Sequence, residues 1–293
     1  MKTTKQKILH SSLIRIFIGL ILCFAIFIIA QQLAGKILDF TTINKDFRNL
    51  FKSIFASASV ILAYILLYRK YEKREVTELS TKRLFRNIAF GILIGTVLQC
   101  LTVGVIYIFG NMELNSINSF SAILTPFSVA FSVAIFEEIL LRGIIFRITE
   151  EKLGSHISLA ISAIIFGGVH LLNPSSTLIS SACIGIVGFI FGALYIYSRN
   201  LWLPIAVHFS WNFVQSGIFG AVTSGNDKTS SLFNFNISGH ELITGGAFGP
   251  EGTIQATLLW LVVAIVVMIL ITKQNKLINP RKKQNEKTEI LFL

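Results

Sequence analysis

Residues 122–148 read AILTPFSVAFSVAIFEEILLRGIIFRI, an apolar run broken in its second half by Glu137, Glu138 and Arg142. An apolar stretch of this length spans a bilayer as a helix. Charges at its centre cost about 2.5–3.5 kcal/mol each on insertion scales, so they need a reason to be there. Glu138 and Arg142 are four residues apart, one turn up the same face, and are placed to neutralise each other. Glu137 lies about 100° around the helix and has no such local partner. A polar packing cluster, or a helix ending here, would account for the pair but leaves Glu137 unexplained.

The rest of the chain has the same character. Of 293 residues, 53% are apolar and 14% charged, a balance outside the range of soluble domains. Apolar continuity places spans near 13–34, 50–68, 88–110, 122–148, 157–173, 177–197, 201–222 and 253–272. The expected fold is therefore an all-α polytopic membrane protein of about eight helices. It divides into N-terminal helices with a basic loop (1–121), a core (122–222), and a segment with a loop, the last helix and a basic tail (223–293). The N-terminal basic head followed by Leu13–Ala30 reads as an uncleaved signal anchor, its apolar run being long for a cleaved signal.

The net charge of +11 does not indicate nucleic acid, because the lysines and arginines sit in short runs beside apolar segments. Arg69, Lys70, Lys73, Arg74, Lys82, Arg83 and Arg86 follow the second span. Lys273, Lys276, Arg281, Lys282, Lys283 and Lys287 follow the last, which puts both loops and both termini in the cytoplasm. The basic, Ile/Lys/Asn-rich composition is compatible with a bacterial inner membrane. Lys36, Lys45, Arg48 and Lys52 run against this scheme: either the charge rule is weak there or the first two segments are not simple crossings. Cys23, Cys100 and Cys183 lie singly in apolar segments and suggest neither a disulfide framework nor a thiolate metal site. Gly188 and Gly192, with Gly185 before them, predict a helix that packs closely on a neighbour.

Two further spans carry polar groups. Phe166-Gly167-Gly168-Val169-His170 sets a ring and an imidazole on one face, and His208-Phe209-Ser210-Trp211-Asn212 does the same for an imidazole and a carboxamide. Counted at about 1.5 Å per residue from the cytoplasmic ends, Glu137 lies about 16 Å deep, His170 about 20 Å and His208 about 10 Å. They are thus expected to meet in one pocket nearer the cytoplasmic face. Ser210 points away from the His208–Asn212 face, no Gly-x-Ser-x-Gly is present, and Cys183 has no histidine nearby in sequence, so no nucleophilic serine or cysteine is indicated. The glycine-rich segment 245–252 reads as a tight turn opening the last helix, with Pro250 and Glu251 in its first turn, in preference to an anion-binding loop. Asn236-Ile237-Ser238 matches a glycosylation pattern that matters only in an oxidising lumen.

Taken in order on their separate spans, Glu137-Glu138-xxx-Arg142, Phe166-xxx-His170 and His208-xxx-Asn212 resemble the CPBP family of intramembrane proteases. That family includes CAAX prenyl endopeptidases and bacterial proteins linked to bacteriocin processing or self-immunity. The resemblance covers roughly 122–222. It implies hydrolysis of a peptide bond in a small peptide or membrane-associated protein tail. Glu137 would be the general base and His170 would position the water, with His208 and Asn212 as oxyanion donors and Glu138 and Arg142 bracing the site. Family members are commonly called metalloproteases. Glu137, His170 and His208 would supply a His2Glu zinc set, but the same residues serve a metal-free glutamate mechanism, and no HExxH helix is present. Two other readings remain open from the residues: a non-enzymatic immunity or receptor-like protein with a packed polar core, and an ion- or proton-coupled transporter or channel.

Overall fold

The computed structural model describes residues 11–280. The N-terminal basic head and Arg281, Lys282, Lys283 and Lys287, used above for orientation, lie outside the described residues. The long helices are α1 (Ser12–Asp39), α2 (Lys45–Tyr71) and α3 (Leu84–Phe109). They are followed by α4 (Leu124–Glu138), which continues through a π-helical stretch, Ile139–Phe146, into α5 (Arg147–Leu153). Then come α6 (Ser155–His170), α7 (Leu178–Ser198), α8 (Trp202–Phe213) with a second π-helical stretch at Val214–Ile218, the short α9 (Glu241–Thr244), and α10 (Ile254–Lys273).

The all-α polytopic fold agrees with the sequence. Five helices, α1, α2, α3, α7 and α10, are each long and apolar enough to cross a membrane. The segments expected at 157–173 and 201–222 form shorter helices, and the one at 122–148 is a composite whose helical backbone runs on from Leu124 to Leu153. Both α1 and α2 are long and apolar enough to cross, and the charges that run against the scheme lie on the helices themselves, Lys36 in the last turn of α1 and Lys45, Arg48 and Lys52 in the opening turns of α2. The burial pattern suits lipid. Large apolar side chains such as Phe17, Phe90 and Ile265 point outward, while Gln99, Thr102, Glu138 and Arg142 are enclosed.

One element was not expected. β1 (Asn111–Ile117) pairs antiparallel with β2 (Phe233–Ser238), from Asn111 opposite Ser238 to Ile117 opposite Phe233, with an irregularity between Leu114 and Ser116. The two strands lie in different interhelical loops, so neither has a local partner that would mark it in sequence.

Hydrogen bonds define the two ends of the bundle. At one end the loop after α2 meets the α7–α8 turn, with Leu201 N donating to Glu78 O at 2.8 Å and Asn200 Nδ2 to Ser80 O at 2.8 Å. The chain after α10 joins them, Ser155 N donating to Ile278 O at 2.9 Å. This is the basic end. A partly buried network links Arg15, Tyr64, Glu72, Arg74, Glu78, Arg147 and Glu151, including Arg15–Glu72 at 2.7 Å and Arg147–Glu151 at 2.7 Å, with the Tyr64 hydroxyl donating to Glu78. Its members Tyr64 and Arg147 both donate to the Gly143 carbonyl, at 2.8 and 3.0 Å. Gly143 lies in the π-helical stretch, where widened turns leave carbonyls to be satisfied from outside. The basic-end network thus holds the segment that follows Glu138.

Close glycine contacts fix the helix spacing. A Cβ on Gly188 would lie 2.6 Å from Phe166 Cβ, and one on Gly192 would lie 3.0 Å from Leu159 Cδ2, so α6 and α7 approach as the small-residue spacing predicts. Gly91 and Gly95 do the same for α3 against α8, a Cβ at Gly91 meeting Ala206 Cβ at 2.5 Å.

The 245–252 segment is a turn, with Gly245, Gly246 and Gly249 at positive φ. Pro250 and Glu251 do not begin the last helix, however. They form a separate 3-10 turn, Pro250–Gly252, and Thr253 caps α10, accepting from Ala256 N at 3.2 Å. A threonine hydroxyl satisfies the exposed helical amides directly, which removes the helix start from Pro250.

Candidate active site

Glu138 and Arg142 are both fully enclosed, and the pair implied by their spacing is formed at 2.8 Å. Arg142 Nη2 also donates to the Gly188 carbonyl at 2.8 Å, and the guanidinium lies 4.7 Å from the Phe166 ring centre and 5.2 Å from that of Phe191. These contacts join the charged pair to α6 and α7. Such a buried pair neutralises its own charge but contributes little net stability, because desolvation offsets the Coulomb gain. What it provides is a fixed carboxylate oxygen for a third group.

That group is His208, on α8, whose Nδ1 lies 3.1 Å from Glu138 Oε1. A carboxylate accepts, so Nδ1 carries the proton and the ring is oriented with Nε2 facing the other way. Phe191 stacks against the ring at 5.1 Å and 28°. His208 Nε2 is then 4.0 Å from Glu137 Oε2. Glu137 Oε2 is buried and makes no hydrogen bond among the described residues. The sequence left Glu137 without a local partner, and the tertiary structure leaves this oxygen without a hydrogen bond.

His170 ends α6. Its Nδ1 is 2.8 Å from the Phe166 carbonyl, which can only accept, so its Nε2 keeps a lone pair in the neutral ring. Glu137, His170, His208 and Asn212 all line one cavity of about 490 Å³. The sequence led to the expectation that Glu137, His170 and His208 meet in one pocket, and the fold places them, together with Asn212, around one cavity.

The cavity opens at the end of the bundle away from the basic end. Its walls there include Asn173 and residues from Ala221 to Thr229, all in loops, together with Ser216 in the π-helical stretch after α8. Depths counted along separate spans locate side chains but not openings, which here are set by the α6–α7 and α8–α9 loops. Asn173 Nδ2 donates to Ser224 O at 2.8 Å, Gln215 Nε2 to Val222 O at 2.7 Å, and the backbone amide of Ser224 to the buried Glu251 carboxylate. These fastenings were not visible in sequence, since they join residues up to 51 positions apart. Phe191 was likewise one apolar residue among many.

Ser210 is occupied elsewhere, donating to Ala206 O at 2.8 Å and Gly91 O at 3.2 Å on the side facing α3. Among the described residues, no three His, Cys, Asp or Glu side chains are grouped so as to hold a metal ion. Glu137, His170 and His208 share the cavity, and the Nδ1 contacts of the two histidines leave both Nε2 atoms available to a water or another ligand.

A second, apolar cavity of about 580 Å³ lies against α1 and shares Glu137 and His170 with the first. Glu137 and His170 thus sit between a polar opening and an apolar one.

No curated protein and no solved structure matches the chain. A family model described as type II CAAX prenyl endopeptidase Rce1-like matches residues 119–214, about a third of the chain. That stretch contains all three motifs and the whole of the Glu137–His208 contact. The match supports an intramembrane protease in a membrane setting, acting on a peptide or protein. Residues 119–214 thus match the Rce1-like family of type II CAAX prenyl endopeptidases, in agreement with the CPBP resemblance carried by Glu137, His170 and His208.

Proposed function

We propose that the protein is an intramembrane endopeptidase in which Glu137 activates water for attack on a peptide carbonyl. The observation that carries this reading is the Glu137 carboxylate itself. Its Oε2 is enclosed at a polar cavity with no hydrogen bond among the described residues, 4.0 Å from His208 Nε2. Leaving such an oxygen unsatisfied costs stability unless a water or substrate occupies its free lone pairs.

Glu137 takes a proton from water as the water oxygen bonds to the carbonyl carbon. His170 Nε2 accepts the water's other hydrogen and orients it. The oxyanion that forms is met by the Asn212 carboxamide, and by His208 Nε2–H when that ring carries both protons, since Nδ1–H is already given to Glu138. As the C–N bond breaks, Glu137 returns its proton to the leaving nitrogen. Glu138 and Arg142 set the orientation of His208 without touching substrate. By the charge pattern, the basic end faces the cytoplasm of a bacterial cell and the polar opening faces outward.

The test compares wild type with Glu137→Gln in nanodiscs, using mass spectrometry on candidate peptides and membrane-protein tails. Cleavage by wild type alone, at equal thermal stability, is the expected result. Equal cleavage by both proteins would remove Glu137 from the mechanism.

A further inference from the structure

The polar cavity has an asymmetry of charge that bears on what enters it. Two carboxylates line it, Glu137 at the floor and Asp227 at the mouth, and among the described residues no lysine or arginine does. The one cation adjacent in sequence, Lys228, is turned away. Its Nζ donates to Asn234 Oδ1 at 3.2 Å and to Phe235 O at 2.8 Å on β2, and it lines a separate small cavity. Asp227 is exposed and forms no salt bridge among the described residues. Its neighbours at the mouth, Asn173, Thr223, Asn226 and Thr229, are uncharged.

We infer that the cavity takes an internal, basic stretch of peptide, with Asp227 as the specificity-determining residue that reads a lysine or arginine flanking the scissile bond. The inference rests on the endopeptidase reading above. A substrate carboxylate, whether an acidic side chain or a free C-terminus, meets no lysine or arginine among the described lining residues and is repelled by the carboxylates of Asp227 and Glu137. A substrate cation gains from both. Because the mouth is solvated, the effect of Asp227 is moderate and salt-sensitive, of the order of fivefold to tenfold in binding at low ionic strength.

The test uses matched labelled peptides that differ in a Lys-Lys or a Glu-Glu pair, each as free acid and as C-terminal amide. Binding is measured to Glu137→Gln protein in neutral-lipid nanodiscs, so the readout does not require cleavage. Tighter binding of the Lys-Lys peptide and of the amides is expected. The preference should weaken at high salt, fall in the Glu137→Gln/Asp227→Asn double variant and reverse in Glu137→Gln/Asp227→Lys. Equal binding of both peptides, or a preference unchanged by Asp227→Lys, would overturn the inference whether or not the wild type is a protease. Charge-selective binding without cleavage by wild type would uphold the role of Asp227 and remove the endopeptidase reading.

Discussion

Gly188 offers a test of how the site is held, because a single methyl there should disturb three functional groups at once. A Cβ at this position would fall 2.6 Å from Phe166 Cβ and 3.1 Å from the ring. Ordinary carbon contacts are about 3.5–4.0 Å, so α6 must retreat from α7 by about 1 Å, the obstacle being the root of the side chain. Phe166 lies 4.7 Å from both the Arg142 guanidinium and the His170 ring, and Arg142 also bonds the Gly188 carbonyl. Overpacking of this kind costs about 1–3 kcal/mol, offset by up to about 1 kcal/mol of helix propensity gained in replacing glycine. Gly168, on the facing helix α6, has nothing within 4 Å of its Cβ position and is the matched control. Gly188→Ala should therefore be about 1–3 kcal/mol less stable than Gly168→Ala in chemical unfolding in one detergent. A displacement near 1 Å should also lower its kcat/KM by about a hundredfold. If Gly188→Ala unfolds no more easily than Gly168→Ala and cleaves at the wild-type rate, the account of the α6–α7 contact is wrong.

Two other outcomes concern charge. Arg142→Met leaves the Glu138 carboxylate enclosed with His208 as its remaining side-chain partner and should destabilise the protein by about 3–5 kcal/mol, while adding Glu138→Gln should recover part of the loss in the same unfolding assay. At the basic end, burial alone would raise the carboxyl groups of Glu72 and Glu78, but Arg15 and Arg147 around Glu72, and Arg74 on Glu78, outweigh it and hold both below the usual carboxylate range. Their folded-state values lie below the unfolded ones, so their stabilisation is present above the ordinary carboxylate pKa and is lost as pH falls through the depressed values. Unfolding midpoints followed down the acid range should drop less steeply in Glu72→Gln and Glu78→Gln than in wild type.

Several features were decided by the sequence because their causes are local. Lipid forces backbone groups to pair within each segment, so apolar continuity alone located the helices, even where 201–222 became a short α-helix with a π-helical extension. The spacing of Glu138 and Arg142 by one turn made their ion pair legible for the same reason. The small residues at Gly188 and Gly192 announced a close helix contact, although Gly91 and Gly95 carried the same signal and were not singled out.

The tertiary structure decided what depends on segments distant in the chain. His208 finds Glu138 across 70 positions, and only that bond tells which ring nitrogen faces Glu137. β1 and β2 are strands only because each supplies the other's partners. The cavity opens away from the basic end because loops fastened by Asn173, Gln215 and Glu251 form its wall there. Periodicity and spacing fix which residues share a face of one helix, whereas the meeting of faces depends on packing at the scale of a methyl group, which a linear pattern does not encode.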